Sequence, residues 1–303
     1  MKLCLFKNRP CCGAVVVLLW LCGLAFLAST VSAEDKKNPD RLAEAQQAFT
    51  RGEFKKAIDL ANAEITAHPS DPQAYYVLGR IYEGTREHEK AVAAFTRVLG
   101  LSPQAAQVFH LRGCAQFKLG KIKESLDDFD QYLALEPAQA PHHWQRGIAL
   151  YYADRFEDGR QQFELHQKVN PSDVENAVWH FLCVARVAGV PKARSLYIEI
   201  KEDRRVPMME IHALFAGKGT VEEVMAATRK GAASSSEMKQ RLFYAHLYLG
   251  LYFEAMGEAQ KSSEHIAKAT GEFAQDHYMG DVARTHALLR SKKPSVPTAP
   301  TIQ

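Results

Sequence analysis

The chain has 303 residues, 47% of them hydrophobic, and its 38 basic side chains nearly balance 35 acidic ones for a net charge of +3. That length supplies ample apolar material for a core, and that balance offers no electrostatic excess to a polyanion, which excludes nucleic acid as a partner class. A disulfide framework is excluded too, because Cys4, Cys11, Cys12 and Cys22 fall in the first 33 residues and leave only Cys114 and Cys183.

Residues 1–33 read as a secretory signal peptide. Lys2, Lys7 and Arg9 precede the apolar run "GAVVVLLWLCGLAFLA", and Val31 and Ala33 supply the small residues a signal peptidase needs ahead of Glu34. Removing those three cations takes the formal charge from +3 to 0. The alternative is an uncleaved membrane anchor, since about 20 apolar residues span a bilayer. Lipid attachment at Cys22 fits poorly, because large Trp20 and Leu21 precede it. The expected location is therefore periplasmic or extracellular, with the membrane involved only through this segment.

A repeat organises the chain beyond residue 37. Pro69, Pro103, Pro137 and Pro171 fall 34 residues apart, as do Gly79, Gly113 and Gly147, and Phe95, Phe129 and Phe163. In residues 72–105, Tyr75, Leu78, Gly79 and Tyr82 are spaced i, i+3, i+4, i+7 and share one stripe of a first helix. A second helix carries Ala91 and Phe95, and Pro103 ends the pair. This spacing predicts that Ala91 meets Gly79 and that Phe95 fills the seam to the next unit.

Four units keep the period: 38–71, 72–105, 106–139 and 140–173. The first has only Ala45 and Ala48 at first-helix packing positions, which suits a terminal unit. The third and fourth carry Arg112 and Arg146 in place of the leucine before glycine. Residues 174–236 form a degenerate helical region: a pair over about 174–204 broken at "AGVP", a shorter pair around 207–229, and a "GAASSS" loop. Residues 237–290 hold a further good unit, with Leu249, Gly250, Phe253, Gly257, Ile266 and Ala269 on the same spacing, and a closing helix from about 276. The tail 291–303 is too polar and proline-rich to pack and is expected to be disordered. No strand signal appears, so the fold is predicted to be all-α, a solenoid of antiparallel helix pairs.

The 72–105 unit resembles the tetratricopeptide repeat (TPR) at every signature position, with Tyr75 in place of the usual leading tryptophan. The second half resembles NlpI-like envelope lipoproteins through "MMEIHALFAGKGTVEEVMAAT", "FYAHLYLGLYFEAMGEAQKSSEHIAKA" and "DHYMGDVARTHALL". That second resemblance implies a homodimeric adaptor that brings peptidoglycan hydrolases to a processing protease. The partner's identity does not transfer.

Catalytic signatures are missing: there is no HExxH, CxxC or GxSxG, and no catalytic residue or cofactor is expected. "AGKGT" around Gly217 lacks the first glycine of a phosphate loop, His212 standing in its place, and reads as a helix-ending turn. His110 and Cys114 lie i, i+4 and could give two soft ligands, but His180 and Cys183 sit two units away, so no metal site is expected. His142 and His143 point about 100° apart if helical.

In tetratricopeptide arrays, repeat positions 2, 5, 9 and 12 line the concave side. Here they include Tyr76 and Arg80, then His110, Cys114 and Phe117, then Trp144, Ile148 and Tyr151 with Tyr152 alongside, and Trp179 in the degenerate region. The lysine and asparagine of a carboxylate clamp are absent from positions 5 and 9. An aromatic trough of this kind suits an extended or helical protein segment. Two occupants stay open at this point: a partner peptide, or the chain's own C-terminal helices or a second copy. The leading expectation is a non-catalytic exported scaffold, and the alternative is a ligand-binding, metal-binding or enzymatic site in 174–236.

Overall fold

The computed structural model describes residues 40–231 and 234–292. The signal-like segment 1–33 lies outside the described residues. Of the expected tail, Ser291 and Lys292 close the last helix and residues 293–303 lie outside. Among the described residues every regular element is helical, and no helix is long and apolar enough to cross a membrane.

The chain divides into two compact units after Val108. The first contains α1 (Arg41–Thr50), α2 (Phe54–Ala67), α3 (Pro72–Gly84) and α4 (His88–Leu101). Asp40 and Asp71 cap α1 and α3 by accepting the backbone N–H of Ala43 and Gln73, and Pro72 needs no partner in the first turn. Ala45 and Ala48 of α1 meet Ala57 and Ala61 of α2 in a core completed by Val77, Leu78 and Ile81 of α3.

The second unit takes in most of α5 (Ala106–Lys118), then α6 (Ile122–Leu135), a 3-10 turn (Pro137–His142), α7 (Trp144–Tyr152) and α8 (Phe156–Gln167). It continues with α9 (Val174–Ser195), α10 (Met208–Phe215), α11 (Val221–Arg229), α12 (Ser235–Ala255), α13 (Ala259–Thr270) and α14 (Tyr278–Lys292). The helix α9 breaks at Gly189, whose φ of 81° is left-handed, with Pro191 behind it. The "AGVP" break is thus present, but its second helix ends at Ser195 and residues 196–207 contain no helix. The "AGKGT" segment is a helix-ending turn, in which Gly217 at φ 75° stops α10 before Thr220 and Glu223 form a capping box for α11.

What lies nearest to Gly79 is the ring of Phe95 rather than the methyl of Ala91, which corrects the sequence expectation. A Cβ at Gly79 would stand 2.6 Å from the Phe95 ring, and Cβ atoms at Gly113 and Gly147 would stand 2.7 Å from those of Phe129 and Phe163. Each phenylalanine therefore lies on the glycine of its own pair, and burying each ring is worth roughly 1.5–3 kcal/mol. The last pair repeats the contact with Ile266 over Gly250, at 2.7 Å.

The arginines that replace leucine tie the two helices of their pairs. Arg112 of α5 makes two bonds to Asp128 of α6, at 2.8 and 2.7 Å. Arg146 of α7 reaches Asp130 at 2.7 Å and Gln162 of α8 at 3.2 Å. Burial pushes the Asp128 carboxyl up, against the opposing pull of Arg112.

Candidate partner-binding surfaces

In the first unit the stripe lies on α3. Its members Gln73, Tyr76, Arg80 and Glu83 are half-buried, while Ala74, Val77, Leu78 and Ile81 turn into the core. The Arg80 guanidinium approaches the Tyr76 hydroxyl at 3.4 Å and Glu83 at 3.4 Å. An aromatic ring, a cation and an anion thus share one accessible face. A depression of about 740 Å3 lies elsewhere in this unit, along α2 beside the exposed ring of Phe54.

In the second unit the stripe is covered. Phe117, Ile148, Tyr151, Tyr152 and Trp179 are at most 7% exposed, Cys114 is buried, and Trp144 and His110 are half-buried. The rings form one cluster: Tyr151 and Tyr152 lie edge-on to Trp179, with centroids 5.4 and 6.0 Å away, and Phe117 lies 5.9 Å from Tyr152. Of the two occupants that the sequence left open, the chain itself fills the trough at these residues. The occupant is α14, whose Tyr278 stacks on Phe117 at 5.8 Å and meets Trp144 edge-on at 5.1 Å. Farther along, the Thr285 hydroxyl donates to the Phe117 carbonyl at 3.3 Å, and Leu288 touches the turn at Gly120.

Glu254, at the end of α12, holds the other end of α14. It accepts two bonds from Arg290, at 3.1 and 2.6 Å, and one from His286 at 3.0 Å. The Tyr151 hydroxyl and Arg186 also reach it, at 3.3 and 3.5 Å. Although burial opposes ionisation, these partners, His286 first and Arg290 next, hold the carboxyl far below the usual range. The carboxylate only accepts, so His286 Nε2 carries a proton and, in a neutral ring, Nδ1 accepts from the Tyr152 hydroxyl at 3.0 Å. This tyrosine, histidine and glutamate chain superficially resembles a nucleophile relay. Burial raises the Tyr152 phenol well above its ordinary value, so its place is that of a donor that fixes α14.

His142 and His143 do separate, although neither lies inside α7. His142 ends the 3-10 turn and is exposed, whereas His143 is buried as the N-cap of α7. His143 Nδ1 accepts the Arg146 N–H at 3.2 Å, so its Nε2 donates to His110 Nδ1 at 3.1 Å, and His110 Nε2–H points to Cys114 Sγ at 3.7 Å. Burial, reinforced by His110, pushes His143 down to about 3. The two nitrogens of His110 thus face different partners, and the three side chains do not converge on one point. Among the described residues no group of three or more metal-ligating side chains is placed to hold an ion. Cys114 and Cys183 are both buried and neither forms a disulfide, and burial pushes the Cys183 thiol up, away from reactivity.

The degenerate region holds one polar knot that sequence reading missed. Arg205 bridges Asp173 and Asp203, each at 2.6 Å, and also binds Glu175, which accepts from the Tyr248 hydroxyl. Burial pushes Glu175 up to about 6, with Asp173 adding and Arg205 opposing. Neither this knot nor the Glu254 node leaves a local signature, because their partners come from different repeats. The only cue for the latter was the i, i+4 spacing of His286 and Arg290.

Residues 42–106 and 106–139 match tetratricopeptide repeat families, and the fold is the all-α fold of such repeats. No curated protein matches the sequence. A tetratricopeptide repeat protein from Parabacteroides merdae ATCC 43184 shares the fold: 15% identity, TM-score 0.54, over 82% of this chain and 97% of that one. MamA from Desulfovibrio magneticus RS-1 is similar at 19% identity and TM-score 0.48, over 52% of this chain and 91% of that one. YrrB, described as a TPR protein with an unusual peptide-binding site, is similar at 18% identity and TM-score 0.48, over 59% of this chain and 90% of that one.

Proposed function

We propose that the chain is a non-catalytic, exported scaffold that binds protein partners in the cell envelope, holding an extended or helical segment against the first helices of its repeats. The observation that carries this reading is the α3 stripe of Tyr76, Arg80 and Glu83, left partly exposed, with 13% of the Arg80 and 19% of the Glu83 side chain accessible, while the opposite side of the helix is spent on packing. Tyrosine and arginine bury much surface and offer directional bonds, which is why they dominate binding energy in protein interfaces. The signal-like segment 1–33 favours export, and the resemblance to NlpI-like lipoproteins read in the sequence of the second half favours an envelope role and a dimeric particle.

The test is affinity capture of the full chain from envelope fractions. The expected result is a partner that copurifies with wild type and is depleted about tenfold or more with Tyr76→Ala or Arg80→Ala, a loss of about 1.4 kcal/mol each. Recovery of no partner above background, or equal recovery with all three proteins, overturns the binding role of the stripe. Export is tested by the N-terminus of the mature protein, expected at Glu34, and the dimer by light scattering.

A further inference from the structure

We infer that the aromatic trough of the second unit is a helix-binding site, with α14 as a built-in ligand that an amphipathic helix from a partner protein replaces. The inference rests on the reading of the chain as a protein-binding scaffold, but it concerns a different surface from the α3 stripe. Three observations carry it.

The first is the spacing with which α14 enters the trough. Tyr278, Val282, Thr285 with His286, and Leu289 fall at i, i+4, i+7 with i+8, and i+11, the pattern by which an amphipathic helix lies in a groove. The second is charge complementarity at both edges. Lys118 of α5 takes Asp281 at 3.6 Å, and Glu254 of α12 takes Arg290 at 2.6 Å, so the trough sets the direction of the helix it accepts. The third is an unmade bond in the walls. The trough offers Phe117, Trp144, Tyr151, Tyr152 and Trp179, and α14 buries Met279 and Val282 together with the small or polar Gly280, Asp281, Ala283, Thr285 and His286. The indole N–H of Trp179 is buried without an acceptor, an unmade bond that a better-fitting helix can supply. These walls define the chemistry of the partner: a helix with aromatic or large aliphatic anchors at the spacing of α14, an acid on one edge and an arginine on the other.

A helix tethered in place competes with an external one by its effective concentration, so apparent affinity rises in proportion to the fraction of open troughs. The experiment uses the full chain, a fluorescent peptide of residues 276–292, and the variant Arg290→Ala, which removes the guanidinium from Glu254. Circular dichroism verifies that the variant is folded. The peptide is expected to bind the variant at least about tenfold more tightly than wild type, and Glu254→Gln added to Arg290→Ala to abolish that gain. In wild type, hydrogen exchange is expected to be faster in α14 than in α12 and α13.

Equal or absent peptide binding, with α14 exchanging only together with α12, overturns the inference and makes α14 permanent core. A dimer that forms with Arg290→Ala and takes up no peptide gives the trough to a second copy of the chain and overturns the partner-helix assignment. Neither result touches the α3 stripe, which is read by Tyr76→Ala and Arg80→Ala.

Discussion

The four intra-repeat turns pass through Gly52, Arg86, Gly120 and Asp154, 34 residues apart, with φ of 77°, 64°, 71° and 58°. Each turn has the same logic. The chain leaves the first helix through a left-handed residue so that the next N–H can bond back to a carbonyl of the last turn, as Glu87 N–H does to Tyr82 at 2.8 Å. Glycine takes this conformation freely, whereas a residue with a Cβ is strained by about 1 kcal/mol. Replacing Arg86 with glycine is therefore expected to stabilise the first unit by roughly 0.5–1 kcal/mol, and Gly52→Ala to destabilise it by about 1 kcal/mol. Chemical denaturation of both variants checks this, and the account is wrong if Arg86→Gly lowers the midpoint. The glycines were visible in the sequence, but the turn position was not, since arginine and aspartate conceal it in two of four repeats.

Among elements, the contact between paired helices comes in two forms: phenylalanine on glycine, and arginine to a carboxylate or amide sixteen positions on. Arg112 and Asp128 are both largely buried, with side-chain exposures of 18% and 5%. Removing one member of such a pair leaves an uncompensated charge, so Arg112→Ala is expected to cost about 3 kcal/mol. The double change Arg112→Leu with Asp128→Leu restores the leucine of the repeat signature and is expected to lie within about 1 kcal/mol of wild type. Thermal melts of the two proteins separate these outcomes, and equal losses in both sink the explanation. The helix pairs themselves were legible because proline, glycine and phenylalanine recur locally. The occupant of the trough was not, because its decisive bonds join residues far apart: Tyr152 to His286 across 134 positions, and Phe117 to Thr285 across 168. Periodicity placed Trp144, Tyr151 and Trp179 on the stripe that lines the concave side but carried no information about what covers them.

For the molecule as a whole, buried histidines set the response to acid. Burial holds His143 at about 3 and, with help from His265, His246 at about 4. Both folded values lie below that of the unfolded chain, near 6.5. The unfolded state therefore takes up more protons, and stability present above pH 6.5 is lost as pH falls toward 4. Glu175, pushed up to about 6, acts the other way and adds stability as pH falls from 6 toward 4.5. The two histidines outweigh it, so a net loss of roughly 2 kcal/mol is expected between pH 7 and pH 5. His143→Asn keeps a good N-cap for α7 and removes one titrating ring, so it is expected to lessen the fall. A melting temperature that holds steady or rises from pH 7 to pH 5 contradicts this assignment.

The central claim is that the repeats present a surface to other proteins. It is tested most directly by placing a photo-cross-linking side chain at Tyr76 in the full-length chain, irradiating intact cells and identifying the adducts by mass spectrometry. The account predicts discrete adducts with an envelope protein, absent without irradiation and suppressed when Arg80→Ala is added. Irradiation that yields no protein adduct, or the same adducts regardless of Arg80→Ala, contradicts it.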